Sequence, residues 1–330
     1  MKVLSCTCAA LACVAPAAAL VTPGNALAQP NPDAVAQATY ESGPLPEGQS
    51  AITVVVQVLL DRAAISPGVI DGWRGPMSRS AIRAFEAREG LEPDGRMDRA
   101  VWDALGGSDA GDVLRSYRIT EDDASGLSEP LPEDYSELAA RDWLGYTRVS
   151  ERLAEKFHMD EGFLLELNPG AAFAAGETLV VAAPGERIKP DVTRVEVRKA
   201  VGRVAAFDDE GTMVANYPAT VGSDQLPSPS GRHEVEAIAI EPTYTYKPDK
   251  NFQQMDNTET LRLPPGPNGP VGDVWIDLSK PTYGIHGTSE PDVLFQSQSH
   301  GCVRLTNWDA RELAGMVTAG IPVIFVEGGS

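Results

Sequence analysis

The stretch TRVEVRKAVGRVAAFDDEGTMVANYPATVG, Thr193–Gly222, sets the architecture of the second half of the chain. Short runs rich in β-branched residues alternate with turn-formers such as DDEG and GS, a texture that predicts a β-meander. Two Pro/Gly-rich loops follow, SDQLPSPSGRHEV and RLPPGPNGPVGDV, and then VWIDLS and YGIHG read as strands. One helix is signalled clearly. Thr306 is an N-cap with Asp309 three residues on, opening WDARELAGMVTAG. Gly320 ends that helix, and IPVIFVE closes the domain as a strand.

Working outward, the chemistry gathers in YGIHGT and SHGCVRL, Ser299–Leu305. His286, His300 and Cys302 form a candidate constellation. In an extended segment positions i and i+2 share a face, which makes His300 and Cys302 neighbours, while His286 reaches them from a separate strand. A thiol is a weak nucleophile until it ionises, and an adjacent imidazole takes its proton. Gly301 lets a substrate backbone approach closely, and the amides of Gly301 and Cys302 are candidates for an oxyanion hole. Other readings stand beside this one. A buried cysteine is usually a small core residue, and His286, His300 and Cys302 are also three acceptable zinc ligands, with Glu290 or Asp292 to orient them. A redox role fits badly, since no resolving cysteine accompanies Cys302.

The chain has four cysteines, three of them at positions 6, 8 and 13. Residues 1–28 read as a secretory signal: Lys2, an apolar run, and the small-residue pattern Ala26-Leu27-Ala28. Its removal leaves Cys302 with no second cysteine in the chain, so no intramolecular disulfide can form. The expected location is therefore an exported one, the periplasm or cell-wall space. The net charge of −20 speaks against nucleic acid or an anionic membrane as partner. No later stretch reaches the ~18 apolar residues of a spanning helix.

A length of 330 residues suggests two or three domains. Residues 29–50 read as a flexible tether. Residues 51–106 read as three short helices: AITVVVQVLLDRA, then RSAIRAFEAREGL behind Ser78, then RAVWDAL. Residues 107–144 read as an acidic linker in which only VLRSYRIT looks like a strand. Residues 145–184 show two helices, one capped by Ser150 and one over Glu161–Leu167, then the strand ETLVVA. His158 and His233 read as structural.

Three resemblances overlay this reading. The helical unit, with its apolar first helix, GVIDGWRG, AIRAF and GLEPDG, resembles the peptidoglycan-binding three-helix domain. LAEKF, LLELNPG and AGETLVV resemble a degenerate LysM module, lacking a clear first strand. YGIHGT, SHGCVRL, SPSG, LPPGPNGPVGDVWIDLS and NWDA together resemble the L,D-transpeptidase catalytic domain family over about 192–327, giving a catalytic domain at 190–328. The fold class implied is multidomain: a small all-α domain, a small α+β LysM-like segment, and a mainly-β, sandwich-like catalytic domain with one capped helix near the C-terminus.

This likeness implies Cys302 as nucleophile and His286 as base, with the Gly287 carbonyl orienting the imidazole. Ser299, His300 and Gly301 would shape the site and its oxyanion hole, and Arg304 would contact substrate. No metal or other cofactor is implied. The expected partners are peptidoglycan stem peptides and glycan strands, with an amine on a stem or a wall-anchored protein as acyl acceptor. Water as acceptor would make the enzyme an L,D-carboxypeptidase, and a wall-binding protein without catalysis is the reading from another class.

Overall fold

The computed structural model describes residues 30–222, 227–249, 252–295 and 301–328. The signal expected at 1–28, and Ser299 and His300, lie outside the described residues.

In the N-terminal half, Asn31 caps α1 (Pro32–Gln37) and Ser50 caps α2 (Ala51–Arg62). The second helix buries Val54, Val55, Val56, Val58, Leu59 and Leu60, more than one face, because neighbours surround it. The third, α3 (Pro76–Glu89), starts earlier than Ser78 suggests: Pro76 occupies the first turn, where its missing N–H costs nothing, and Gly90 ends the helix at φ 71°. Ser78 instead donates to the Trp73 carbonyl at 2.9 Å. Asp98 caps α4 (Arg99–Ala104). The flexible tether expected at 29–50 is corrected by the structure. Val35, Tyr40 and Leu45 are buried in the core around α2, three anchors too widely spaced to give a periodic signal.

The linker expected at 107–144 is corrected as well. It contributes β1 (Leu114–Arg118), which pairs antiparallel with β2 (Thr178–Ala182) across more than fifty intervening residues. It also holds the single turns α5 (Glu121–Ala124) and α6 (Tyr135–Leu138). Between β1 and β2 run α7 (Val149–Lys156), which starts behind Arg148 rather than Ser150, and α8 (Glu161–Leu167). The partner of β2 thus comes from the segment taken as linker.

The C-terminal domain holds β3 (Arg194–Arg198), β4 (Arg203–Phe207), β5 (Met213–Pro218), β6 (Thr220–Val221) and β7 (Gly231–Ile240). A separate hairpin, β8 (Tyr244–Tyr246) with β9 (Leu261–Leu263), follows. Then come β10 (Val274–Leu278), β11 (Gly284–His286), β12 (Val303–Arg304), helix α9 (Asn307–Ala314) and β13 (Pro322–Val326). Sheet order is β5-β4-β3-β13-β7-β10-β11-β12-β6. The ten-residue β7 pairs through its first half with β13 and through its second with β10, so it belongs to both leaves. At the far side Ala219 alone separates β5 from β6, the two ends of the order, so the sheet nearly closes on itself. This is the mainly-β domain the meander predicts, with the sandwich-like arrangement the resemblance implies. Thr306 does cap α9, accepting from the Asp309 amide at 3.1 Å, but the helix stops at Ala314, well before Gly320.

The parts share cores rather than hanging on tethers. One apolar cluster runs from α2 through Leu153, Phe157 and Leu179 to Ala205 and Phe207 of β4. A polar joint adds to it: His158 Nδ1 meets Asp61 at 2.8 Å, its ring stacks on Trp308 at 5.2 Å, and Ser66 donates to Asp309 at 2.9 Å.

Candidate active site

The strand pair β11–β12 places the candidate residues. The two run parallel, with Ile285 opposite Val303 and His286 opposite Arg304. Ile285 and Val303 are fully buried in the core, so alternation turns Gly284, His286 and Arg304 to the other face. Cys302 leads directly into β12, two positions before Arg304. Its thiol is half-buried at the start of β11, donating to the Thr282 carbonyl at 3.7 Å and hydrogen-bonded with the Gly284 backbone.

His286 is fixed on two sides. Its Nδ1 lies 2.7 Å from the Gly287 carbonyl, and because a carbonyl only accepts, Nδ1 carries the proton and Nε2 is left with its lone pair. The ring stacks on Trp275, its register partner on β10, at 5.5 Å between centroids. Burial pushes the imidazole down to about 4; its bond to Gly287 opposes this, and the Arg304 charge adds to it. Burial also pushes the Cys302 thiol above its ordinary range, against the Gly284 bond and the Arg304 charge. At neutral pH the pair therefore rests as thiol and neutral imidazole rather than as an ion pair.

Glycines make room for this arrangement. A Cβ on Gly287 or Gly272 would come within 2.1 Å of Asn307 Oδ1, and Gly301 adopts φ 105° with the Tyr283 ring 2.9 Å from where its Cβ would be. Asn307, fully buried at the start of α9, donates to Glu155 Oε1 at 2.8 Å and to the Pro267 carbonyl at 3.1 Å. Glu155 accepts from Tyr146 at 3.0 Å and is pushed up by burial to about 8, the Asn307 bond opposing. Asn307 thus wedges the turn whose carbonyl holds His286, and α7 supports the wedge. Asn307 opens the NWDA stretch, but its contact with Glu155 has no mark in the sequence, because only the docking of α7 against α9 makes the two neighbours.

Residues 192–325 match the family model of the L,D-transpeptidase catalytic domain. This segment is similar to that catalytic domain. Residues 50–105 match the model described as "Putative peptidoglycan binding domain". Among curated relatives, the chain is 29% identical over 177 residues to "Putative L,D-transpeptidase YkuD" of Bacillus licheniformis, covering 52% of this chain and 90% of that protein. It is 28% identical over 215 residues to "Probable L,D-transpeptidase YbiS" of Escherichia coli, covering 62% and 70%. No helix among the described residues is long and apolar enough to cross a membrane.

One further part of the L,D-transpeptidase domain escaped the sequence reading. The hairpin β8–β9 stands beside the site: the Tyr244 hydroxyl, its pKa raised chiefly by burial, also feels the charges of Cys302 and Arg304. Residues 131–146 strap across this hairpin. Tyr135 packs edge-on against Tyr244, Tyr246 and Phe252, and Gln254 and Asn257 hydrogen-bond to Glu133, Asp134 and Tyr135. The Leu144 amide donates to Pro265 at 2.9 Å, and a Cβ at Gly266 would come within 2.1 Å of the Leu144 carbonyl oxygen. The PPGPNG loop is glycine-rich because the strap lies directly on it.

Proposed function

We propose that this chain is an exported peptidoglycan L,D-transpeptidase that works through a thioester on Cys302. The observation that carries the reading is the β11–β12 register. It puts His286 and the approach to Cys302 on adjacent parallel strands, with Nδ1 spent on Gly287 and the Nε2 lone pair uncommitted by that bond, which supports a base role.

In the first half-reaction Cys302 Sγ attacks the carbonyl of the third residue of a tetrapeptide stem. The thiol proton, given to Thr282 at rest, passes to His286 Nε2 as the S–C bond forms. Because both groups rest neutral, proton transfer and attack proceed together, and no preformed thiolate has to be desolvated. The tetrahedral oxyanion is met by backbone amides at Gly301 and Cys302; one such donor is typically worth about 3 kcal/mol. Collapse breaks the C–N bond, and His286 returns its proton to the departing D-alanine amine. A stem amine then attacks the thioester, giving its proton to His286, and the thiol is restored as the 3→3 amide forms. Two amide-like exchanges replace one harder step, and the broken bond supplies the energy. His300 and Ser299 complete the site in this reading, and Arg304 binds substrate. The segment 50–105 holds the wall while the catalytic domain acts on it, and the leader at 1–28 directs export to the wall compartment.

Intact mass spectrometry after incubation with a tetrapeptide donor tests the proposal. A covalent adduct that disappears in Cys302→Ala, with dimers among the products when acceptor stems are added, is the expected result. No adduct sinks the catalytic reading, and tripeptides without dimers sink the transferase one.

A further inference from the structure

A cavity of about 550 Å³ lies between the helical module and the catalytic domain, with Cys302 outside its lining, and arginines are the commonest residue in its walls. Arg74, Arg79, Arg83 and Arg96 come from the helical side, Arg198 and Arg203 from the catalytic side, and Asp94 is the one acid in the lining. The chain as a whole has 47 acidic and 27 basic residues, so this concentration of positive charge runs against its composition. Arg74 and Arg198 are paired with Glu47 and Glu196, at 2.7 and 3.0 Å. Among the described residues no ion pair engages Arg79, Arg83, Arg96 or Arg203.

Arg203 is the telling member. It is 2% exposed, and its Nε bonds the Asn216 side chain while Nη2 donates to the Ser66 and Asn216 carbonyls. Its Nη1 has no hydrogen-bond partner among the described residues. Burial pulls the guanidinium down to about 9, opposed only by Asp309, so it is still charged at neutral pH. A buried guanidinium with an uncommitted nitrogen is costly to maintain unless an anion or a water completes it.

Charge is half of the lining. Leu45, Ile82, Met97 and Phe295 supply apolar wall, and the volume is that of a small-ligand site rather than of a polymer-wide trough. A phosphate chain would waste the apolar wall; a short peptide with carboxylates and small apolar side chains would use both, and guanidinium forks suit carboxylates.

We infer that this interdomain groove is a second, non-catalytic site for an acidic peptide, holding a wall stem peptide by its carboxylates while Cys302 works on another. The choice of wall peptide as ligand rests on the proposed function; the groove's chemistry does not.

The probe is the tetrapeptide L-Ala-γ-D-Glu-meso-diaminopimelate-D-Ala, added to the full chain carrying Cys302→Ala so that it is not consumed. Calorimetry gives the affinity, and hydrogen exchange gives the place. Protection is expected over residues 76–97 and 198–203, at least tenfold weaker binding in Arg79→Glu/Arg96→Glu, and parent-like binding in Arg232→Glu, which lies outside the groove. Both targeted arginines are exposed, so the fold is not at stake. A probe with its carboxylates amidated should leave the groove unprotected. Protection confined to the cleft near residue 302, parent-like binding by the double variant, or displacement by inorganic phosphate as effective as by peptide would each overturn the inference. Adduct formation on intact Cys302 is read separately: groove protection without an adduct overturns the catalytic proposal, and an adduct without groove protection overturns this one.

Discussion

Burial acts on Cys302 and His286 in opposite senses, raising the thiol and lowering the imidazole, and the consequence is measurable. Alkylation of Cys302 by iodoacetamide should be slow at pH 7 and climb only above pH 9, the ordinary thiol value; a plateau by pH 7 would contradict the neutral pair. The acid limb of kcat/KM for donor acylation should fall near pH 4, where the imidazole takes its proton, and not near 6.5. His286→Gln should slow adduct formation about 100-fold or more, the scale of a lost general base, while high-pH alkylation persists. Gly287→Ala tests the wedge. Its Cβ meets Asn307, and such overpacking costs about 1–3 kcal/mol, visible as a shifted denaturant midpoint. At this scale the sequence singled out the candidate side chains and was silent about their protonation. His286 and Cys302 stand out by type and spacing, but their pKa directions come from burial and from neighbours such as Gly287, Gly284 and Arg304, whose placement depends on register.

The strap shows what two short elements do together. Tyr135 makes three edge-on aromatic contacts to the hairpin and its flank, each worth about 1 kcal/mol. Tyr135→Ala should therefore speed hydrogen exchange at 244–246 and 261–263 while leaving β3 and β4 unchanged; equal exchange would mean that the hairpin stands without the strap. Elements with strong local signals were readable: the Thr306 cap of α9, the apolar α2 and the valine-rich β3. Those defined by distant partners were not. β6 and β12 are two residues long and are defined by their pairing, β6 with β12 and β12 also with β11, and β1 takes its partner from far along the chain. The strap's Leu144 and Tyr135 sit in Pro/Glu-rich sequence whose composition says loop. The six groove arginines are spread over some 130 positions, so nothing local marks them as one surface.

Across the molecule, buried acids set the response to pH. Asp309 and Glu86 are pushed up to about 7 and Glu155 to about 8, in each case mainly by burial, and His158 is raised by Asp61 against the pull of burial. All four bind protons more tightly folded than unfolded, so between pH 6.5 and 8.5 stability should fall as pH rises. Below that window His286, lowered in the folded state, acts with the opposite sign. Thermal melts across 6.5–8.5 check the slope, and Glu155→Gln should flatten it. Asp61→Ala leaves His158 without its buried partner at the joint of all three parts and should cost about 3 kcal/mol; an unchanged Tm would make the joint incidental.

The near-closure of the sheet has a further consequence. Ala219, buried and held by its amide to the Gly202 carbonyl at 2.8 Å, carries the chain between the two ends of the strand order in one step. A connection of that length has no slack. Chain-length variation in this domain has to accumulate in the turns, such as Asp208–Gly211, and an insertion of even one residue at Ala219 would shift β6 against β12, the strand that Cys302 leads into.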